Sequence, residues 1–304
     1  MIRSVRYSSV ITLALLGLLS AQTVQAQSQG QTFVRERFHT SGSCASCDLS
    51  QKSMTRMQLV DADFSNSNFF RSNLSGGRLD RSNLVGAVFS KAYLIKVEGV
   101  EVDFTDAVLR DATLTQAKLT TSQFVGADMR RADLTEGLFN ESDFTQADLS
   151  SAIAKGANFS GAKLREARLP MATLDGADLS GVDMQDTRAA DISLEGATLE
   201  GANLVGADLR NARGLTQEQL DTACGDSNTR LPLSLSVPYC DPDMIAEFDR
   251  AAEDHDHVQG LARLDNAIRE VEGLIRQPGI DLGSRRRLQR IHSQLVGSRR
   301  ALAQ

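Results

Sequence analysis

The sequence predicts an all-β solenoid, a stack of short coils, followed by an α-helical C-terminal extension. Three observations carry this reading. From Leu49 to Leu209 a large apolar residue falls at 30 of the 33 successive fifth positions, without an insertion or deletion. Two residues before it the side chain is nearly always small, as at Ala62, Ser67, Ser72, Ala107, Ala127 and Ala202. Aromatic residues make up only 5% of the 304-residue chain and Trp is absent, which suits a repetitive interior of Leu, Phe and Ala.

The first element in chain order is a secretory signal over residues 1–26. Arg3 and Arg6 supply its basic start, Val10 to Leu19 its apolar stretch, and Val24-Gln25-Ala26 small residues at the cleavage site. The apolar run is too short to cross a bilayer as a helix. Export to the periplasm or the extracellular space is therefore expected. Loss of Arg3 and Arg6 takes the formal net charge from −6 to −8.

Residues 47–212 form the repeat array. A period of five fits neither a helix face nor a strand, so each unit must combine a short extended piece with a corner. Within the extended piece, the small and the large residue point inward and the residue between them points outward. That outward residue is often Asp or Asn, as at Asp63, Asn73, Asp133, Asp178 and Asn203, and Gln123 falls in the same register. Gly, Asn and Asp at the corners suit tight turns. Only Gly99, Ala154 and Ala189 depart from the large positions. Gly99 lies between Val97 and Val102, where small residues are expected, and reads as a local bend or bulge.

Units such as Ala177-Asp178-Leu179-Ser180-Gly181 and Ala202-Asn203-Leu204-Val205-Gly206 resemble the pentapeptide-repeat family. The resemblance implies a right-handed quadrilateral β-helix with four units, or 20 residues, per coil. Such a rod of eight coils would be on the order of 40 Å long. Phe104, Phe124 and Phe144 then fall one coil apart on one side, and Phe139 and Phe159 on the adjacent side, so ring stacking is expected.

Open solenoid ends need covering. Residues 27–46 are assigned as the N-terminal cap, with Phe33, Val34 and Phe38 over the first coil. Residues 213–241 are assigned as the C-terminal cap, with a small helix opening at Gly214-Leu215-Thr216 and running through Leu220. Each cap holds two of the four cysteines, Cys44 and Cys47 at one end, Cys224 and Cys240 at the other. Four cysteines allow three pairings, and a rod of this length favours Cys44–Cys47 with Cys224–Cys240. A redox role for the C-x-x-C finds no thioredoxin-like βαβ context. A four-cysteine zinc site would have to join opposite ends.

Residues 242–304 read as a helical hairpin. Leu261, Leu264, Ile268, Val271 and Ile275 follow helical spacing, Pro278-Gly279 interrupts it, and Leu288, Ile291, Leu295 and Leu302 resume it. Acids dominate residues 241–256. The basic cluster Arg285, Arg286, Arg287, Arg290, Arg299 and Arg300 follows, with no acid after Asp281. His255 and His257, two residues apart, do not share a helix face, which argues against a metal site.

The array offers no positioned acid–base pair, no phosphate loop and no Trp platform for sugars, so no catalytic, cofactor or metal residue is assigned. Ice or mineral binding needs a flat regular ladder, and outward positions such as Thr115, Thr135, Lys155, Asp175 and Glu195 are mixed. The family resemblance also implies a DNA-mimic reading, an inhibitor of a nucleic-acid-binding protein, which export would separate from its target. A second alternative is an anionic membrane surface held by the Arg-rich tail. The preferred expectation is a non-catalytic exported scaffold for protein–protein interaction or envelope structure.

Folding the array on a 20-residue coil sorts its charges. The first side, centred on Leu49, Phe69 and on to Leu209, has 8 bases and 6 acids; the second, from Met54 to Leu194, has 4 and 4. The third, from Leu59 to Leu199, has 3 and 7, and the fourth, from Phe64 to Leu204, has 2 and 7. Glu98, Glu101, Asp103, Asp106, Glu141, Asp143, Asp183 and Asp186 therefore form the candidate interaction surface, presented to a basic protein partner. The nearest candidate partner is the Arg-rich tail, of the same chain or of a second copy.

Overall fold

The computed structural model describes residues 43–241 together with Ile275, Arg285, Gln289 and His292. The expected signal, most of the expected N-terminal cap and the expected helical hairpin lie outside the described residues; the four isolated positions are helical.

The repeat is realised as a quadrilateral β-helix. Each outward residue bridges in parallel to the residue 20 positions later, from Asp48↔Asn68 through Arg188↔Asp208 and Ser193↔Arg213. Four five-residue units therefore make one coil. The small and large ladders fill the interior, and every large position from Leu59 to Leu209 is buried.

One unit accounts for all of its backbone donors. In Ser142-Asp143-Phe144-Thr145-Gln146, the Ser142 N–H closes a turn onto the Phe139 carbonyl at 3.2 Å. The Asp143 N–H donates to Ser122 of the preceding coil at 2.9 Å and the Phe144 N–H to Lys163 of the next at 2.7 Å. The Gln146 N–H donates to the Arg165 carbonyl at 2.9 Å. The Thr145 N–H, left over by the ladder, donates to the Asp143 carboxylate at 2.8 Å. The recurrent outward Asp or Asn is thus a side-chain cap for the corner, repeated at Asp63, Asn73, Asp103, Asp178 and Asn203. Buried N–H groups must find a partner, and short Asx side chains reach one two residues on.

Every corner from Gln51 to Asn211 places its second residue at positive φ, between 51° and 69°. Glycine takes this conformation without strain, yet only ten of these corners are Gly; most are charged or amide residues. At corner after corner the N–H of this residue bonds to the next coil, as at Asp61 and Asn66, which holds a conformation that the side chain disfavours.

Phenylalanines stack along the rod. Phe104, Phe124 and Phe144 lie parallel with centroids 5.0 and 4.7 Å apart. Phe139 and Phe159 stack at 5.4 Å, and Phe69 and Phe89 at 4.5 Å. Edge contacts such as Phe144–Phe159 tie adjacent sides together. Hydroxyls at inward small positions are satisfied by carbonyls: Ser142 Oγ donates to Leu119 at 2.8 Å and Thr187 Oγ1 to Leu164 at 2.7 Å.

Gly99 does not bulge. The bridge register passes through it unbroken, and β1 (Glu98–Val100) pairs in parallel with β2 (Lys118–Thr120), Gly99 opposite Leu119. The volume of the missing side chain is taken by neighbours: a Cβ there would meet Val102 Cγ2 at 2.5 Å and both Leu119 and Leu79 at 3.3 Å. The Val102 N–H donates to Ser122 Oγ at 3.2 Å, and the Ser122 N–H to Ser142 Oγ at 3.0 Å. The irregular coil is thus a longer strand pair with a serine ladder at its corner.

Beyond Arg213 the coil is continued by other means. Helix α1 (Gln217–Leu220) opens with a capping box between Thr216 and Gln219 and buries Leu220 over the last coil. Gln219 Nε2 reaches the carbonyls of Leu194 and Ala197. Asn203 then bridges to Cys224, Asp208 to Arg230 and Gly225 to Tyr239. Cys44 is bonded to Cys47 and Cys224 to Cys240, with Cα separations of 5.6 and 4.7 Å.

Candidate interaction surface

The outward column of the fourth side runs Asp63, Asn83, Asp103, Gln123, Asp143, Lys163, Asp183, Asn203, each bridged to the next. Its residue types are all polar. Four of them are nonetheless buried: Gln123 is 3% exposed, Asp143 4%, Asp183 3% and Asn203 0%. Among the described residues, no outward centre of the other three sides is buried. Gln123, expected to face solvent, does not, and Asp143 and Asp183 are not open acids. Alternation fixes which way a side chain points from the coil, but not what lies beyond it.

The other expected surface acids divide by position. Glu101 and Glu141 stand on the corner between the third and fourth sides, Asp106 and Asp186 on the opposite corner, and all four are exposed. Asp103 lies half-buried in the column between them. Glu98 belongs to the third side, where Lys118 Nζ pairs with it at 2.9 Å. Seven of the eight expected acids therefore frame one side.

Within the column, Asp183 is held by Arg165 Nε, by Asn203 Nδ2 at 3.0 Å and by the Gln185 N–H at 3.2 Å. Asn203 in turn has Cys240 Sγ 3.7 Å from its Oδ1, so the disulfide loop lies against the C-terminal end of this side. Sequence reasoning assigned Asn203 and Gln123 an outward direction and missed their burial; the signal available was a column with no apolar residue, where the other sides carry Val88, Tyr93, Leu138 and Ile153 outward. Of the basic cluster, Arg285 is half-buried in a helix, and Arg286, Arg287, Arg290, Arg299 and Arg300 lie outside the described residues. So do His255 and His257. Among the described residues no cluster of His, Cys, Asp or Glu is arranged to hold a metal ion, and no helix is long and apolar enough to cross a membrane.

Carboxylates elsewhere carry the depressed pKa values. The hydrogen bond from Arg210, followed by its charge and that of Arg230, holds Asp208 below the ordinary 3.8. A hydrogen bond from Ser193, with Lys155, does so for Asp175. Burial opposes ionisation of Asp226, but donors from Gly206, Thr229 and Asn228 outweigh it and lower its pKa. These groups anchor corners and the C-terminal cap.

No curated protein matches the chain significantly. Three similar solved structures are HetL of the cyanobacterium Nostoc, involved in heterocyst differentiation regulation, QnrB1, a plasmid-mediated fluoroquinolone resistance protein, and a protein of the Arabidopsis thaliana thylakoid lumen. HetL is 26% identical, over 60% of this chain and 91% of its own, with a TM-score of 0.32. QnrB1 is 17% identical over 61% and 91%, with a TM-score of 0.40. The thylakoid protein is 20% identical over 56% and 70%, with a TM-score of 0.10. HetL and the thylakoid protein are described as pentapeptide-repeat proteins. The family pattern itself, pentapeptide repeats, matches in eight copies over residues 43–76, 100–136, 142–181 and 177–213. With its 20-residue parallel register and its small–polar–large units, this chain belongs to the pentapeptide-repeat family.

Proposed function

We propose that this protein is an exported, non-catalytic scaffold that binds a protein partner through its outer ladders. The observation that carries the reading is the unbroken 20-residue register from Asp48 to Arg213. It spends the large side chains on a filled interior and leaves straight rows of short polar groups outside, a surface suited to recognition along its length. Fold alone does not set function. The exposed corner acids Glu101, Glu141, Asp106 and Asp186 favour a basic partner, reached by electrostatic steering.

The test has two parts. Fractionation and mass measurement of the tagged chain should find it outside the cytoplasm, starting at Gln27. The mature protein, immobilised, should retain a defined envelope protein, and reversal of Glu101, Glu141, Asp106 and Asp186 to Lys should release it without altering the melting curve. A cytoplasmic, unprocessed chain removes the export reading. Retention that survives both charge reversal and high salt removes the acidic-corner reading.

A further inference from the structure

We propose that the fourth side is the seat of the chain's own C-terminal segment, residues 242–304, docked within the same molecule. The inference starts from a contrast between sides that share one backbone geometry. Asp128, Asp148 and Asp208 on the first side keep 20–26% of their side-chain surface open. Asp183, in the same outward register on the fourth side, keeps 4%. Arg165 and Asn203 cover part of Asp183, but Asp128 and Asp208 are also paired with Arg and stay more open, so the coil geometry and an ion pair do not by themselves account for the difference. Gln123 makes the point more strongly: a side chain longer than Asp, aimed away from the rod, is 3% exposed.

The chain's exit shows which segment can occupy the side. The described cap ends at Cys240–Asp241, and Cys240 rests against Asn203, the C-terminal end of the buried column. The 63 residues from Pro242 onward therefore start at the edge of the side they would cover. From Asn203 back to Asp103 is five coils, about 24 Å at the usual strand spacing. A helix of about 16 residues spans that length, so the segment is long enough for a helix and its return. Its described positions fit: Ile275 and Arg285, with His292, are helical and half-buried. Charge agrees as well. The side carries 7 acids against 2 bases, and the segment has six Arg after Asp281 with no acid. A second copy could satisfy the charge argument, but the exit at Asn203 places the same chain at far higher effective concentration.

The consequence concerns the proposed partner. Asp103, Asp143 and Asp183 are then taken from within, and the partner is left the corners and the third side.

The experiment uses the full mature chain with its disulfides intact. Thiol labelling is followed at Gln123→Cys and at Thr198→Cys, an exposed outward position on the third side. The expected result is labelling at position 123 slower by about tenfold or more, as for a site that opens only by local release. Adding Arg285→Glu, Arg286→Glu, Arg287→Glu and Arg290→Glu should bring the two rates together. Crosslinking of a mixture of isotopically light and heavy protein with an amine-to-any photoreactive reagent, which attaches on the fourth side at Lys163 because residues 242–304 hold no Lys, provides, with peptide mapping, a second readout independent of the variants. Links from residues 242–304 to fourth-side peptides within one isotopic form support the proposal. Labelling at position 123 as fast as at 198, protection unchanged by the Arg reversals, or links only between light and heavy chains would overturn it, the last in favour of a second copy.

Discussion

Thr121 occupies a left-handed corner at φ 51°, and Met171 another at φ 61°. A β-branched residue is among the poorest choices for that region, and Met171 is also 65% exposed. Replacing either by Gly removes a backbone strain of roughly 1–2 kcal/mol, partly offset by glycine's greater chain entropy. Met171→Gly and Thr121→Gly should each raise the unfolding free energy slightly, by a net of about 0.5–1 kcal/mol, as read by urea unfolding followed by circular dichroism. Lower stability in both would mean that the corner hydrogen bonds, rather than φ, set the strain. The core behaves oppositely. Phe124 stacks on Phe104 and Phe144 and touches the Phe139 edge, so Phe124→Ala should cost about 3–5 kcal/mol. Gln123→Ala, next to it, is not neutral either, because the position is buried.

At the scale of the element, two glycines are set by neighbours rather than by turns. Gly137 stands at an inward small position where a Cβ would fall 2.3 Å from Phe139 Cε2 and 3.0 Å from the Leu134 carbonyl. The ring leans into that space to stack on Phe159, so Gly137→Ala should cost about 1–3 kcal/mol through overpacking, while Ala157→Gly one coil on should cost less. The C-terminal cap holds one acid-sensitive group. Asp226 accepts from the N–H groups of Gly206, Asn228 and Thr229 at 2.9–3.1 Å. Its pKa, like those of Asp208 and Asp175, is lowered from 3.8 in the folded state. The stability these groups contribute is therefore present above about pH 4 and lost as the pH falls through their lower folded values. The thermal midpoint should fall steeply below about pH 4, and Asp226→Asn should be less stable at neutrality but flatter in that range. A parallel loss in both proteins would place the acid sensitivity elsewhere.

For the molecule as a whole, stability in a solenoid is a sum over neighbouring coils, so its ends fray first. The Cys224–Cys240 bond ties the last strand-like segment, at Tyr239, to the coil continuation at Cys224. Closing a loop of this length is worth about 3 kcal/mol in the chain-entropy account. Reduction should therefore release residues 213–241 ahead of the array, seen as early hydrogen exchange at Leu220 and Arg230 with the Phe104–Phe144 coils still protected. Uniform exchange along the rod would mean one cooperative unit. The exposed corner pairs Arg81–Asp61 and Arg131–Asp111, each 20 residues apart, run from coil to coil, and their effect should fade with salt.

The sequence by itself determined the coil. A five-residue period held over 33 units leaves no other register, because one slipped residue would turn every inward side chain outward. It also placed the Phe104–Phe124–Phe144 stack, the acid-rich sides and the short helix after Thr216, since each follows from position modulo 20 or from a local cap. It misplaced what depends on contacts between units. Gly99 read as a bulge because a missing side chain looks like a defect in one dimension; in three, Val102, Leu79 and Leu119 fill its space. The outward Asp and Asn read as solvated groups, whereas backbone geometry makes them acceptors for the one N–H the ladder leaves over. The burial of Gln123, Asp143, Asp183 and Asn203 was beyond a periodic reading altogether. Period fixes the direction of a side chain relative to its own coil, and exposure depends on what else in three dimensions lies over it.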